Sequence, residues 1–301
     1  MNIPLAVLTS LLILSPIATG QARSARTGSK SASRVTLDVT SEPGVIGGGS
    51  PCLFRVKSRR ALKSLSGEWQ GRSVIFNYDE LDKTWYGFAG VGIDLAGASG
   101  RLKLAGATAG GARFSYVYPV RIRRVRYRTV KLRVHPQYTE PDAETMARIK
   151  KEQELKKESF AYINPYRLWS GNFEAPVGGR ETSEFGVHRT FNRKVQSIHQ
   201  GMDFRAEVGT PVEAMNSGVV IIARDMFYEG GFVVIDHGQG LTTLYMHLSE
   251  IKVREGDSVA KRQIIGLSGE TGRATAPHLH VGVRWQGIYL DPAVLLTIPL
   301  P

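Results

Sequence analysis

The 301-residue chain has a single cysteine, Cys52, which excludes an internal disulfide and any metal site built on paired cysteines. That thiol is expected to be a small buried hydrophobe. No lysine or arginine precedes the apolar run of residues 3–19, whereas Arg23, Arg26, Lys30 and Arg34 follow it, the reverse of the usual charge bias. The run falls short of a bilayer span of about 20 residues and is broken by Pro4 and Pro16, which argues against a membrane anchor. It ends among the small residues Ala18, Gly20 and Ala22, so a cleaved signal peptide is expected over 1–22 and a periplasmic or secreted location with it. Between Arg121 and Arg133 there is no acidic residue, while seven basic ones alternate with Ile122, Val125, Tyr127, Val130 and Leu132.

With 42% hydrophobic and 22% charged residues, the chain is neither disordered nor fibrous and is long enough for about two domains. The formal net charge of +12 favours polyanionic surroundings, without choosing among nucleic acid, anionic lipid and envelope polymer. The Arg121 to Arg133 run has two readings: a groove for an anionic envelope polymer, or a solvated edge strand whose charge discourages aggregation. No specific nucleic acid is expected. The apolar phase of this run slips twice, which implies bulges or a turn.

Residues 23–34 read as a linker rich in Ser, Ala, Arg and Gly. Short alternating segments separated by Gly-rich turns over 35–135 indicate a β-sandwich. A connecting helix is expected over 136–162, with Thr139 as N-cap, Asp142 at the capping-box position and a thin stripe of Met146, Ile149 and Leu155. From Phe185 onward recurrent glycines cut β-branched runs into short strands, the pattern of an antiparallel β domain over 163–298. The fold class is therefore mainly β.

Six of the seven histidines follow Phe185. In His199-Gln-Gly-Met-Asp203 an imidazole and a carboxylate stand four apart and would share one face of an extended strand. His278-Leu-His280 repeats the geometry at two apart. Two imidazoles and one carboxylate suit a catalytic zinc, which keeps a fourth position for water and lowers its pKa to about 7. The histidine of the His278/His280 pair that is not a ligand would sit beside that water. His247, at the end of the apolar segment 241–246, joins His278 as the expected acid/base and oxyanion-stabilising pair. His237 reads as structural, in the turn signal Asp236-His-Gly; His135 and His188 match no site pattern.

Seven motifs in order carry a resemblance: Ser183-Glu-Phe-Gly-Val-His-Arg189, His199-Gln-Gly-Met-Asp-Phe, Gly209-Thr-Pro-Val, Val234-Ile-Asp-His-Gly, Leu244-Tyr-Met-His-Leu, Gly256-Asp-Ser-Val and Thr271-Gly-Arg-Ala-Thr-Ala-Pro-His-Leu-His280. Together, over about residues 173–292, they resemble the lysostaphin-like, or LytM-type, zinc endopeptidases of bacterial envelopes. The resemblance implies hydrolysis of peptide bonds in peptidoglycan, with Zn²⁺ on His199, Asp203 and His280 and with His247 and His278 as catalytic non-ligands. Gly231 and Ala276 depart from the family pattern, where Asn and Gly are usual. Tyr86-Gly-Phe-Ala-Gly-Val-Gly-Ile-Asp-Leu and the helix bearing Ala147-Arg-Ile-Lys-Lys-Glu resemble the immunoglobulin-like domain and connection that precede some periplasmic members.

Two rivals follow from the same residues. The segment 253–266 is similar to half of a biotinyl or lipoyl carrier hairpin, but the later turn Ser268-Gly-Glu-Thr-Gly lacks the lysine that a carrier needs. A non-catalytic envelope regulator, binding peptidoglycan or activating a separate amidase, is the second; the five intact site residues favour an enzyme.

Overall fold

Alternation of apolar and polar residues builds the first sheet. On β1 (Leu37–Glu42), Leu37 and Val39 are buried and Asp38 faces out. This computed structural model describes residues 35–95 and 99–301, so the expected signal peptide and linker lie outside the described residues. After β1 come β2 (Ile46–Gly47), β3 (Pro51–Ser58), β4 (Leu62–Trp69), β5 (Arg72–Asp79), β6 (Thr84–Gly90), β7 (Ser99–Thr108) and β8 (Arg113–Arg123). Their order in the sheet is β1-β3-β6-β5-β4-β7-β8-β2, antiparallel except for the final β8–β2 pair. Trp69 is fully buried, donates from its indole N–H to the Gly90 carbonyl at 2.8 Å, and packs edge-on against Phe54. Gly100 makes this possible, because a Cβ there would lie 2.3 Å from the Trp69 ring.

The basic segment obeys the same alternation. All seven basic residues between Arg121 and Arg133 are exposed, and Ile122 is buried. The two phase slips fall at the end of β8 and just before β9 (Thr129–Leu132). Tyr127, between them, donates to the Gly48 carbonyl and packs against Phe185.

The connecting helix, α1 (Ala143–Ser159), starts later than expected. Asp142, not Thr139, is its N-cap, accepting from the Thr145 N–H at 2.8 Å. The reason is Pro141, which keeps Glu140 out of the helical region. Thr139 instead closes a short 3₁₀ turn over Pro136–Tyr138. Ile149 is buried and Met146 exposed, so the helical stripe is as thin as the sequence implies.

The later strands are β10 (Glu181–Ser183), β11 (His188–Phe191), β12 (Val195–Ile198), β13 (Met202–Phe204), β14 (Pro211–Glu213), β15 (Gly218–Met226), β16 (Gly230–Asp236), β17 (Leu241–Leu248), β18 (Glu250–Ile251), β19 (Ser258–Val259), β20 (Ile264–Leu267), β21 (Leu279–Trp285) and β22 (Ile288–Leu290). The main sheet runs β10-β13-β21-β17-β16-β15-β19, with β22 on β21, all antiparallel. Every residue of β16 is buried, so this strand is covered on both faces. Val233 and Ile235 join the main core, while Phe232 and Val234 pack with Leu244, beneath Leu155 and Phe160 at the end of α1. One helix thereby seals the second face of the sheet that carries the site. A smaller sheet, β12-β11-β9, pairs β9 in parallel with β11 and brings the end of the basic segment to the rim of the site. Among the described residues, no helix is long and apolar enough to cross a membrane.

Candidate metal centre

Sheet register places the first two site residues. Asp203 on β13 stands opposite His280 on β21, and cross-strand partners share a face. Asp203 Oδ1 lies 2.8 Å from His280 Nδ1. His199 reaches them differently from the expectation of one extended strand spanning 199–203. It lies in the connection between β12 and β13, where the chain turns through Gln200 and Gly201. Its Nε2 sits 3.0 Å from Asp203 Oδ1 and 2.9 Å from His280 Nδ1. Gly201 is required, since a Cβ there would meet the Val281 carbonyl oxygen at 2.2 Å and His280 Nε2 at 2.6 Å.

The chemistry of this donor set fits a divalent cation. His199 Nδ1 lies 2.8 Å from the Glu184 carbonyl oxygen, which can only accept, so Nδ1 carries the hydrogen and Nε2 presents a lone pair. One donor atom from each of His199, Asp203 and His280 lies within 4.8 Å of the others, and all three residues are buried. Burial opposes a charge on Asp203, yet the hydrogen bonds that the His199 and His280 rings donate when protonated, and the charge they then carry, outweigh it and hold the carboxyl well below its usual range. Burial pushes His280 down to about 4 against the upward pull of Asp203, so its imidazole is neutral near pH 7. Two imidazole nitrogens and a carboxylate oxygen converge, a donor set that suits a divalent cation.

Arg189 fixes the carboxylate from behind, a role not read from the sequence. Its Nη2 donates to Asp203 Oδ2 at 2.6 Å and to Ser183 Oγ at 2.9 Å, leaving Oδ1 for the imidazoles. Both Glu184 and Arg189 belong to the motif 183–189, whose presence was legible although its task was not.

His247 and His278 adjoin this cluster, their rings 4.7 Å apart. His247 Nδ1 donates to the Thr271 carbonyl (2.7 Å) and His278 Nδ1 to the Ala276 carbonyl (2.7 Å), so in the neutral rings each Nε2 is free to accept a proton. His278 Nε2 lies 3.8 Å from Asp203 Oδ1. His247 has φ +66°, strained for a non-glycine residue, at a register shift between β16 and β17. Its N–H bonds to the Glu229 carbonyl at 2.8 Å, which holds the conformation. Burial first, then the neighbouring His278 and His280, push its pKa down to about 3. Gly231 belongs to the same irregularity: a Cβ there would lie 2.3 Å from the Leu248 carbonyl oxygen.

All five expected residues line one cleft of about 610 Å³. The remaining histidines stay outside it. His237 is fully buried, bonded to the Ser217 carbonyl and Thr243 Oγ1, and pushed by burial to about 4. His188 is exposed on β11, and His135 caps the 3₁₀ turn. Cys52 is completely buried.

Comparison with known proteins agrees with this geometry. The model of Peptidase family M23 matches residues 197–292. The peptidoglycan DD-endopeptidase ShyA of Vibrio cholerae is 51% identical over 102 residues, 34% of this chain and 24% of that protein. The DD-carboxypeptidase/endopeptidase Mpg of Neisseria meningitidis is 38% identical over 130 residues, 43% of this chain and 30% of that protein. The chain therefore spans less than a third of either relative's length. A crystallised Pseudomonas aeruginosa chain assigned to peptidase M23 superposes with a TM-score of 0.63 at 25% identity, covering 83% of this chain and 94% of that one, so the likeness of fold extends into the first sheet. The match to Peptidase family M23 covers residues 197–292, the segment that holds His199, Asp203 and His280, and agrees with the LytM-type family that the motifs resemble.

Proposed function

We propose that the chain is a zinc-dependent endopeptidase that hydrolyses peptide bonds of peptidoglycan stems or cross-links in the bacterial envelope. The observation that carries the proposal is the convergence of His199 Nε2, Asp203 Oδ1 and His280 Nδ1 beside two further imidazoles. A borderline cation takes nitrogen and carboxylate ligands together, which favours Zn²⁺ over Mg²⁺ or Ca²⁺. Such an ion, when bound, polarises a carbonyl and acidifies water.

The chain's own residues then divide the remaining work. Glu184 and Arg189 orient His199 and Asp203, as outer partners of metal ligands do. With Nδ1 committed to a carbonyl and Nε2 facing the cleft, His278 and His247 take up the proton of the attacking water and pass it to the leaving amine. Stabilisation of the oxyanion by either ring belongs to its protonated form. The regulator alternative leaves the intact donor set without a task.

For the first domain, 35–135, an immunoglobulin-like reading is supported by its antiparallel strands around Trp69. The exposed arginines between Arg121 and Arg133 are proposed to attract an anionic envelope polymer. Metal analysis of purified protein, paired with digestion of sacculi and mass mapping of the fragments, tests the function. One zinc per chain and loss of cross-linked dimers are expected; zinc-loaded protein that leaves every muropeptide intact would refute the proposal.

A further inference from the structure

The cleft holds one more cation, for which the chemistry above has no use. Arg273 lies over the ring of Phe191 at 4.5 Å and that of Tyr228 at 4.8 Å, between aromatic faces that orient the guanidinium plane. Its backbone is fixed as well. The Arg273 N–H donates to the Tyr228 carbonyl at 2.9 Å, and the preceding Gly272 carbonyl accepts from the Tyr138 hydroxyl at 2.5 Å. Gly272 has φ +68°, and a Cβ there would lie 2.4 Å from the Gly230 nitrogen, so two backbones are locked together at this point.

The other cleft cations are accounted for. Arg189 bonds Asp203, Arg128 bonds Glu184 and Lys156 bonds Glu229, while Arg205 is exposed. Among the described residues, the Arg273 guanidinium stacks on its two rings and has no hydrogen bond and no ion pair; Glu229, bonded to Lys156, acts on its charge only from beyond bonding distance. It is half-buried, and burial works against its charge. Holding a guanidinium in that state is unfavourable unless an acceptor arrives, and its planar fork matches a carboxylate with two parallel bonds.

We infer that Arg273 is a substrate-positioning residue whose guanidinium, held rigid between Phe191 and Tyr228, pairs with a carboxylate of the peptide being cut. The inference rests on the peptidoglycan reading, because stem peptides carry free carboxylates near their amide bonds. It adds a chemical selectivity: acidic peptides over their neutral amides.

The test uses cross-linked muropeptide dimers with free carboxyl groups and the same dimers converted to carboxamides. Zinc-loaded wild type, Arg273→Gln and Arg273→Lys are compared by kcat/KM, with zinc content measured throughout. Amidation is expected to cost the wild type about 10- to 100-fold, the size of a charged hydrogen-bond pair. Arg273→Gln is expected to lose a similar factor on the acidic dimers and little on the amidated ones, with zinc unchanged. Arg273→Lys, which keeps the charge without the fork, is expected to fall between, and it serves if the glutamine variant misfolds. Equal cleavage of both dimers by wild type, or an equal loss on both in the variants, would overturn the assignment while leaving the peptidase reading intact. Cleavage of neither by wild type would overturn both.

Discussion

Asp203 and His280, 77 positions apart in sequence, face each other across the β13–β21 ladder with their donor atoms 2.8 Å apart. Backbone pairing thus sets the separation of two candidate ligands, and only His199 depends on a turn. Substitutions at these positions should therefore separate metal binding from turnover. His280→Ala and Asp203→Ala are expected to abolish both, whereas His278→Ala keeps the metal and loses turnover by 10²-fold or more, about the usual share of a general base. Zinc content by mass spectrometry, alongside muropeptide cleavage, checks this.

Gly201 admits no side chain. In Gly201→Ala the new methyl would press on the Val281 carbonyl and the His280 ring, so metal affinity is expected to fall at least about tenfold with little change in secondary structure. Competition with a chromophoric chelator measures it.

Arg189→Met removes the pair that leaves Asp203 Oδ1 free for the site. A loss of about 10- to 100-fold in metal affinity is expected, in line with other outer-sphere partners of ligands. Arg189→Lys should recover only part of it, since the shorter lysine side chain does not carry its nitrogen to the position from which Nη2 reaches both Asp203 and Ser183.

Acid should destabilise the metal-free protein in a defined window. His237 and His280 are held near 4 and His247 near 3, below the ordinary value of about 6.5, so between these limits the unfolded chain binds more protons than the folded one. Stability is then fully present above about pH 6.5 and declines as pH falls toward 4. Asp203, held low, adds a loss below its ordinary carboxylate range. Urea titrations at a series of pH values should show this slope, and His237→Gln should reduce it while leaving turnover near wild type.

Much of the site was legible in the sequence because its chemistry is written in spacing: His199 with Asp203, His278 with His280, and His247 at a strand end all enter one cleft. The route was not legible. His199 and Asp203 meet through a turn that Gly201 permits, and a period-two argument cannot anticipate a turn inside a motif. Glu184 contributes through a backbone carbonyl, which side-chain identity does not encode. The mainly β class followed from Gly-punctuated alternation, whereas the helix start was misplaced by three residues, because Asp142 after Pro141 makes a better cap than Thr139. Asp142→Ala, on this basis, should lower the melting temperature and Thr139→Ala should lower it less, as thermal melts would show.

The most direct test is a crystal structure of zinc-loaded protein with anomalous scattering recorded across the zinc edge. One ion is expected, bonded to His199 Nε2, Asp203 Oδ1 and His280 Nδ1 at about 2.0–2.2 Å, with His247 and His278 beyond bonding distance. An ion seated elsewhere, or one that takes His278 in place of His280, would contradict the account.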